Sequence, residues 1–264
     1  MYNSRKRIDH SMNITQRRAQ LEQIIIEQQE IEIHKLNEIF DVSSVTLRND
    51  LIFLERKGVC RRLFGKVAAE SDNSYMHLNY NSLKNLEYKE RIGKCAAKLI
   101  ENGDSVLFYC GTTTQQIARF ISPELNFIAV TNSIYIAQEL GNLSKVRTIL
   151  LGGLFNPSIG STYGLEAIRQ IGYYNIDKLF LPVDGIDAEY GITNSSPFES
   201  DINRAIIKQS SEVIVVADHT KIGNKSFIKM GDIEDVRMLI TDSESDAHKI
   251  EELRSAGLEV VLAT

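Results

Sequence analysis

Residues 42–67 read VSSVTLRNDLIFLERKGVCRRLFGKV. Leu47, Leu51 and Leu54 recur at i, i+4 and i+7, the spacing of one apolar face of an amphipathic helix. One of the two serines that precede these leucines is a suitable N-cap for the helix. The stretch therefore predicts a helix that buries its leucines and leaves four side chains largely outside: Thr46, Arg48, Asn49 and Phe53.

Two more helices are predicted upstream of this one. The first runs from Thr15 to about Gln28, with Thr15 as its N-cap and with Arg17 and Arg18 facing outward. The second is shorter, and a tight turn over residues 41–43 ends it. Its apolar residues have helical spacing: Ile33, Leu36, Ile39 and Phe40.

Two short helices joined by a tight turn are typical of a helix-turn-helix, whose second helix enters the DNA major groove. Arginine can bind guanine with two donors, asparagine can pair with adenine, and hydroxyls suit bases or phosphates. The candidate DNA-binding residues of this helix are Ser43, Ser44, Thr46, Arg48 and Asn49. A three-helix docking module with capping serines and solvated arginines is the alternative.

Residues 59–67 alternate well enough to predict a small β-hairpin. The tip of this hairpin would carry Arg62 and Lys66. Such a hairpin would form a wing over the DNA phosphate backbone.

Charge divides the chain into a basic head and an acidic body. Residues 1–69 hold 12 Lys and Arg against 9 Asp and Glu, which leaves 18 basic and 26 acidic residues of the totals of 30 and 35 for the rest. Only the head is therefore expected to meet a polyanion. The three cysteines are odd in number and far apart, which predicts reduced thiols: Cys60, Cys95 and Cys110. No apolar stretch reaches the roughly 18 residues of a membrane span, and we expect a soluble, cytoplasmic protein without membrane partners.

The remainder of the chain predicts an α/β domain. Apolar strand-like runs alternate with amphipathic segments, which favours a mostly parallel sheet covered by helices. The predicted strands are 105–108, 127–130, 146–151, 178–182, 213–217, 238–241 and 259–262, and the predicted helices are 89–101, 114–121, 133–140, 164–172, 198–210 and 246–256. The expected organisation is a basic arm (1–13), a winged helix-turn-helix (14–69), a linker (70–88) and the α/β domain (89–264).

Polar turns follow several of the predicted strands. In parallel sheets, ligands bind beyond the carboxyl ends of strands, where helix N-termini present free N–H groups. A lysine and backbone amides suit a phosphate, and carboxylates suit hydroxyls. These turns could therefore hold a small phosphorylated polyol, although each turn by itself is also what a βα connection needs in order to fold.

Both halves resemble the DeoR-type bacterial transcriptional regulators. The head is similar to their VS-turn, TIRRDL-like helix, LE-x-x-G and R-x-x-GG wing, and the body carries GTTT, VTNS, LLGG, DGID, GIT and VIVVADHTKIG in the usual order. The resemblance implies an effector domain related in fold to ribose-5-phosphate isomerase and CoA-transferases, and an effector that is a phosphorylated sugar or sugar alcohol. The implied effector-binding residues are Tyr109 (where the family commonly has an acidic residue), Gly111, Thr112, Thr113, Thr131, Asn132, Gly152, Gly153, Asp184, Gly185, Glu199, Asp218 and Lys221.

Signals for enzyme chemistry are weak. No GxxxxGK[ST], GxGxxG, GxSxG or HExxH string occurs, and the five histidines lack metal-ligand spacing. We therefore expect no metal, no cofactor and no catalytic residues. The helix-turn-helix and the resemblance together imply a two-domain repressor of a sugar or sugar-alcohol operon, which acts on operator DNA as a homodimer or homotetramer and is released by the phosphorylated effector. The alternative is a phosphosugar isomerase-like enzyme in which His219 and Asp218 form an acid–base pair.

Overall fold

The computed structural model describes residues 14–57, 59–69, 84–157, 159–196 and 199–264. The chain divides after Tyr80 into two compact units, here called the head and the body. The expected basic arm (1–13), most of the expected linker (70–83) and the start of the helix predicted at 198–210 lie outside the described residues.

The head contains three helices and a three-stranded antiparallel sheet of order β1-β3-β2. Its elements are α1 (Ile14–Gln28), β1 (Glu30–Glu32), α2 (Ile33–Phe40), α3 (Ser44–Arg56), β2 (Cys60–Leu63) and β3 (Lys66–Ala69). Asp41 ends α2 in the left-handed conformation, with φ of +47°, and so makes the turn into α3 tight. Leu21, Leu36 and Leu47, one from each helix, are fully buried in the core of the head.

The structure corrects three sequence predictions in the head. Thr15 is not an N-cap, because α1 already begins at Ile14. Arg17 and Arg18 do not face outward: their Nε atoms each donate at 2.7 Å to one carboxylate oxygen of Asp50 on α3. The strand β1, which pairs with β3, was not predicted because three residues are too few to show an alternating pattern.

The body is built on a seven-stranded parallel sheet of order β15-β14-β12-β9-β4-β5-β6. All seven predicted strands are present, with shifts of up to three residues at their ends. They are β4 (Ser105–Phe108), β5 (Ile128–Thr131), β6 (Arg147–Leu150), β9 (Ile176–Pro182), β12 (Ser210–Val216), β14 (Met238–Asp242) and β15 (Glu259–Ala263).

Helices cover this sheet, and a hydrophobic cluster lies on each of its two faces. Along β4, Leu107 belongs to one cluster and the next residue, Phe108, to the other. The helices are α4 (Leu86–Ala97), α5 (Thr112–Arg119), α6 (Ile134–Leu140), α7 (Leu165–Ile171), α8 (Ser200–Gln209) and α9 (Ala247–Ser255), with short 3-10 turns at His219–Lys221 and Ile233–Asp235. Burial on both faces explains the apolar runs of central strands such as β4 and β5, whereas the edge strands β6 and β15 are only partly buried.

Two small antiparallel sheets of the body escaped prediction. One is the hairpin of β7 (Leu154–Asn156) and β8 (Ser161–Tyr163). The other joins β10 (Gly185–Asp187), β11 (Gly191–Asn194) and β13 (Ile228–Gly231). Their strands are three or four residues long, too short to show an alternating pattern. Each strand of the second sheet also includes a glycine, which weakens the strand signal further.

Candidate DNA-binding surface and ligand site

The first turn of α3 is fixed by its own hydroxyls. Ser43 Oγ accepts a hydrogen bond from Thr46 N at 3.1 Å and lies 2.8 Å from Thr46 Oγ1. This is the N-cap arrangement that the sequence predicts. Two of the candidate DNA-binding hydroxyls are thus already used within the helix, whereas Ser44, Arg48 and Asn49 are exposed to solvent.

One exposed residue of α3 was missed by the sequence analysis. The Val45 side chain is 69% exposed. Arg48 and Asn49 follow Val45 by three and four residues, so the three side chains lie on one face of α3. The spacing signal was present in the sequence, but only polar residues were considered as base contacts. A valine methyl group is chemically suited to contact the methyl group of thymine.

The two basic residues predicted for the tip of the wing are paired within the head. The Arg62 guanidinium lies 2.7 Å from Glu55 Oε2, and the Arg62 backbone N–H donates to Glu55 Oε1 at 3.0 Å. These bonds lower the pKa of Glu55. Lys66 Nζ lies 2.7 Å from Glu30 Oε1, which raises the pKa of Lys66. Both cations flank the turn of the hairpin and are not at its tip.

In the body, polar groups gather where the order of the parallel strands reverses. The strands β5 and β6 follow β4 on one side, and β9 lies against β4 on the other. Open α/β sheets bind ligands at such a reversal, beyond the carboxyl ends of the strands. Gly111, which begins α5, is so close to β9 that a Cβ atom on it would lie 2.5 Å from Cγ of Pro182. The Gly111–Thr113 turn therefore stands at the reversal.

Several predicted ligand residues hold the turns together through their own hydrogen bonds. Asn132 Oδ1 accepts from Cys110 N at 2.9 Å, and its Nδ2 donates to Thr162 O at 3.0 Å. Thr131 Oγ1 donates to Phe108 O at 2.8 Å. These side chains fix the ends of β4 and β5 relative to each other.

The predicted glycines have packing reasons for lacking a side chain. A Cβ on Gly153 would lie 2.5 Å from Tyr163 O, and one on Gly185 would lie 2.2 Å from Asn224 O. The N–H of Gly152 donates to Gln170 Oε1 at 3.0 Å. Gly152 and Gly153 follow β6. This strand is at the edge of the sheet, two strands away from β4, where the strand order reverses.

Three of the predicted polar residues meet beyond β4 and β9. Lys221 Nζ lies 3.7 Å from Asp184 Oδ1, and Asp184 Oδ2 accepts from the N–H and hydroxyl of Ser195. Glu199 is buried; its Oε1 lies 3.9 Å from the Cys110 Sγ and its Oε2 lies 3.4 Å from Asn194 Nδ2. Burial raises the pKa of Glu199. Burial and the nearby Glu199 charge together raise the pKa of the Cys110 thiol.

Two groups near these residues were not predicted. Asn203 lies on α8, four residues after the N-cap Glu199, so the two residues lie on the same side of the first turn of the helix. Asn203 is 0% exposed, and neither of its amide atoms has a hydrogen-bond partner among the described residues. Lys89 on α4 is 5% exposed, and burial lowers its pKa to about 8, with Asp218 acting against this shift and Lys221 adding to it.

His219 and Asp218, the acid–base pair of the alternative enzyme interpretation, each have another partner in the structure. His219 Nδ1 lies 2.9 Å from Asp242 Oδ1, and the His219 backbone N–H donates to Asp242 Oδ2 at 2.8 Å. Asp218 instead caps the following turn by accepting from Thr220 N at 3.0 Å. The ring of Tyr88 packs against the edge of His219 at 4.9 Å between centroids.

A cleft of about 620 Å³ lies at the opposite end of the strands, where their amino ends are. Gly103, Ile128 and Arg147 line it where β4, β5 and β6 begin. Because ligands of parallel sheets bind at the carboxyl ends of strands, we do not assign the ligand site to this cleft.

Within the described part of the chain, no three His, Cys, Asp or Glu side chains are grouped closely enough to hold a metal ion. In the same residues, no helix combines the length and the apolar character that crossing a lipid bilayer requires.

A winged helix-turn-helix followed by a parallel α/β domain with a polar site at its strand reversal defines a class of ligand-responsive transcriptional regulators. Residues 17–73 match the DeoR-like helix-turn-helix domain, and residues 84–243 match the DeoR C terminal sensor domain. The chain belongs to the DeoR family.

Similar proteins cover almost all of the chain. The chain is 34% identical over 94% of its length to the "Putative aga operon transcriptional repressor" of Escherichia coli O157:H7, of which 93% is covered. It is 31% identical over 85% of its length to the "HTH-type transcriptional repressor GlcR" of Bacillus subtilis (strain 168), of which 86% is covered. Among solved structures, the sorbitol operon regulator SorC of Klebsiella pneumoniae aligns over 92% of this chain and 100% of that chain, with 12% identity and a TM-score of 0.43.

Proposed function

We propose that this protein is a repressor of a sugar or sugar-alcohol utilisation operon. It binds double-stranded operator DNA through α3 and the wing, and a phosphorylated sugar or polyol releases it. The observation that carries the proposal is the capped α3 with Val45, Arg48 and Asn49 exposed on one face, in a helix-turn-helix. The names of the relatives, which are repressors of an aga operon and of the GlcR type, support it.

The site at the strand reversal is the proposed effector site. Cations and helix N-termini both stabilise anions, so the proposed partners of the phosphate group are the N–H groups at the start of α5, Lys221 and Lys89. Asp184 and Glu199 can accept hydrogen bonds from sugar hydroxyls. Asn203 is buried four residues after Glu199, and its amide has no partner in the described part of the chain, which is consistent with a further polar contact to the ligand.

Release of DNA requires two states of the protein. The effector shifts the equilibrium between the DNA-binding state and the free state only by its difference in affinity for them. Because helix-turn-helix proteins commonly read paired half-sites one helical turn apart, we propose that the active form is a homodimer or homotetramer.

The test is fluorescence anisotropy of the full-length protein on DNA from upstream of its own transcription unit. Salt concentration is varied, and phosphorylated sugars and polyols are compared with their unphosphorylated forms. The expected result is tight binding with a steep salt dependence that one phosphorylated compound reverses. A protein that binds no upstream fragment and turns over a phosphosugar would contradict the proposal.

A further inference from the structure

The turn of the wing carries an exposed aromatic ring. β2 and β3 pair up to Leu63 and Lys66, so the hairpin has a two-residue turn of Phe64 and Gly65. Phe64 is fully exposed, with 106% of its reference accessible area, and Leu63 is 41% exposed. These two residues form what we call the apolar tip. Fully exposed aromatic side chains leave a large apolar area in water, and such groups often mark a binding surface.

The backbone beside the apolar tip is anchored to the rest of the head. Gly65 has φ of +72°, a conformation in which glycine is favoured. Its carbonyl oxygen accepts a hydrogen bond from the N–H of Ile33 at 3.1 Å, which anchors the turn to the start of α2. Arg62 and Glu55 join β2 to α3 at 2.7 Å. The backbone of the turn that carries Phe64 is therefore joined to α2 and, through β2, to α3.

The charges beside the turn favour a role for the ring itself in DNA binding. Arg62 and Lys66 each have a carboxylate partner at 2.7 Å, so part of their charge is neutralised before any DNA is present. These two cations therefore offer a phosphate less than two unpaired cations would, and the apolar tip between them offers a different kind of contact. Minor-groove binding proteins often insert apolar side chains, including phenylalanine, against or between base steps and thereby bend the duplex.

We propose that Phe64 inserts into the DNA minor groove beside the major groove that α3 reads, and that it kinks the operator there. The contact adds selectivity for deformable base steps at a position that α3 does not touch. This inference rests on the proposed DNA-binding function, and it names the wing contact that the function does not by itself require.

The test compares Phe64→Ala with Phe227→Ala in the full-length protein. Phe227 lies in the body and is 79% exposed, so it controls for the loss of an exposed phenylalanine. Operator affinity is measured by anisotropy, and bending is measured by circular-permutation gel mobility and by energy transfer between dyes at the two DNA ends. We expect Phe64→Ala to weaken operator binding roughly tenfold, the scale of one lost stacking contact, and to reduce the bend. The salt dependence should stay unchanged, because no phosphate contact is removed. Phe227→Ala should behave as the unsubstituted protein.

Equal affinity and an equal bend for Phe64→Ala and the unsubstituted protein would overturn the inference and leave the proposed function intact. If the unsubstituted protein binds no operator, the proposed function itself fails. Sedimentation velocity provides the third readout. A change of oligomeric state in Phe64→Ala would assign the apolar tip to a contact between two copies of the chain, and would equally overturn the minor-groove contact.

Discussion

Replacement of Asp50 by alanine should destabilise the head strongly, although Asp50 is not a candidate DNA contact. Its carboxylate is 1% exposed and accepts one hydrogen bond from Arg17 and one from Arg18, each at 2.7 Å. The network joins α1 to α3, and the Arg18 guanidinium also stacks over the ring of Phe53, 3.9 Å from its centroid. The position of α3 relative to α1 therefore depends on these charges.

The expected cost follows from the number and burial of these bonds. A hydrogen bond to a charged group contributes about 1.5–3 kcal/mol, so two bonds give an upper range of about 3–6 kcal/mol. The arginine side chains keep 15% and 24% exposure, so water can reach them once the carboxylate is gone. We therefore expect Asp50→Ala to cost about 2–4 kcal/mol, below the 3–5 kcal/mol typical for breaking a fully buried pair.

Hydrogen exchange measured by mass spectrometry on the full chain is a suitable assay, because it reports on α1 and α3 separately from the body. A loss of about 2–4 kcal/mol predicts amide protection in these two helices that is about 30- to 1000-fold lower. Protection in the sheet of the body should stay unchanged and serves as the internal control.

A second background isolates the charge network from simple packing. In Arg17→Met/Arg18→Met, Asp50 is a buried carboxylate without these partners, so the further change Asp50→Ala should be neutral or stabilising. The same cost of Asp50→Ala in both backgrounds would refute the reasoning, because the carboxylate would then act through its packing alone.

Three further substitutions test the two sites. Arg48→Ala should weaken operator binding by about 1–3 kcal/mol and relax base preference in anisotropy titrations, whereas Arg56→Ala at the end of the same helix should not; unchanged affinity would remove Arg48 from the base contacts. Lys221→Ala should abolish the effect of the phosphorylated effector on DNA binding without altering binding in its absence, with the exposed Lys208→Ala as control; a retained response would exclude Lys221 from the site. Because the pKa of Lys89 is lowered to about 8 in the folded protein, the unfolded chain binds more protons between about pH 8 and 10.5, and stability rises with pH across this window. Lys89→Met should therefore stabilise the body by about 1–3 kcal/mol at pH 7 in urea unfolding, with a smaller gain in stability at pH 10. An equal gain at pH 7 and at pH 10 would contradict the explanation by the buried charge of Lys89.

The strands of the parallel sheet could be predicted because each is a short apolar run between polar turns, and burial on both sheet faces requires such runs. The three-residue strands could not, since a pattern of period two needs more residues to be recognised. The pairing of Arg17 and Arg18 with Asp50 was missed because charged helix residues are usually solvated. A signal was nevertheless present, as Asp50 stands between Leu47 and Leu51 on the apolar face of α3.

The candidate ligand site, too, could be predicted only in part from the sequence. Sequence identifies which turns carry glycine, hydroxyls and carboxylates, but it does not show which strands are neighbours. Cys110 and Glu199 are 89 residues apart and meet only because β4 lies next to β9. Lys89 looks like a solvated lysine in the sequence, yet it stands three and four residues before Ile92 and Gly93 on the buried face of α4.

Hydrogen-bonding capacity separates the residues that build the body from those that remain able to bind a ligand. The amide oxygen and the amide nitrogen of Asn132 both form hydrogen bonds with backbone groups. A ligand that replaced these bonds would disrupt the turns after β4 and β5. Asn203 has the same chemistry and equal burial but no partner among the described residues. A buried unpartnered amide costs about 1–3 kcal/mol, and a bound ligand or water that satisfies it recovers that cost. Within the proposed effector site, spare hydrogen-bonding capacity therefore points to Asn203, four residues after Glu199, rather than to the asparagine that the sequence motif makes most conspicuous.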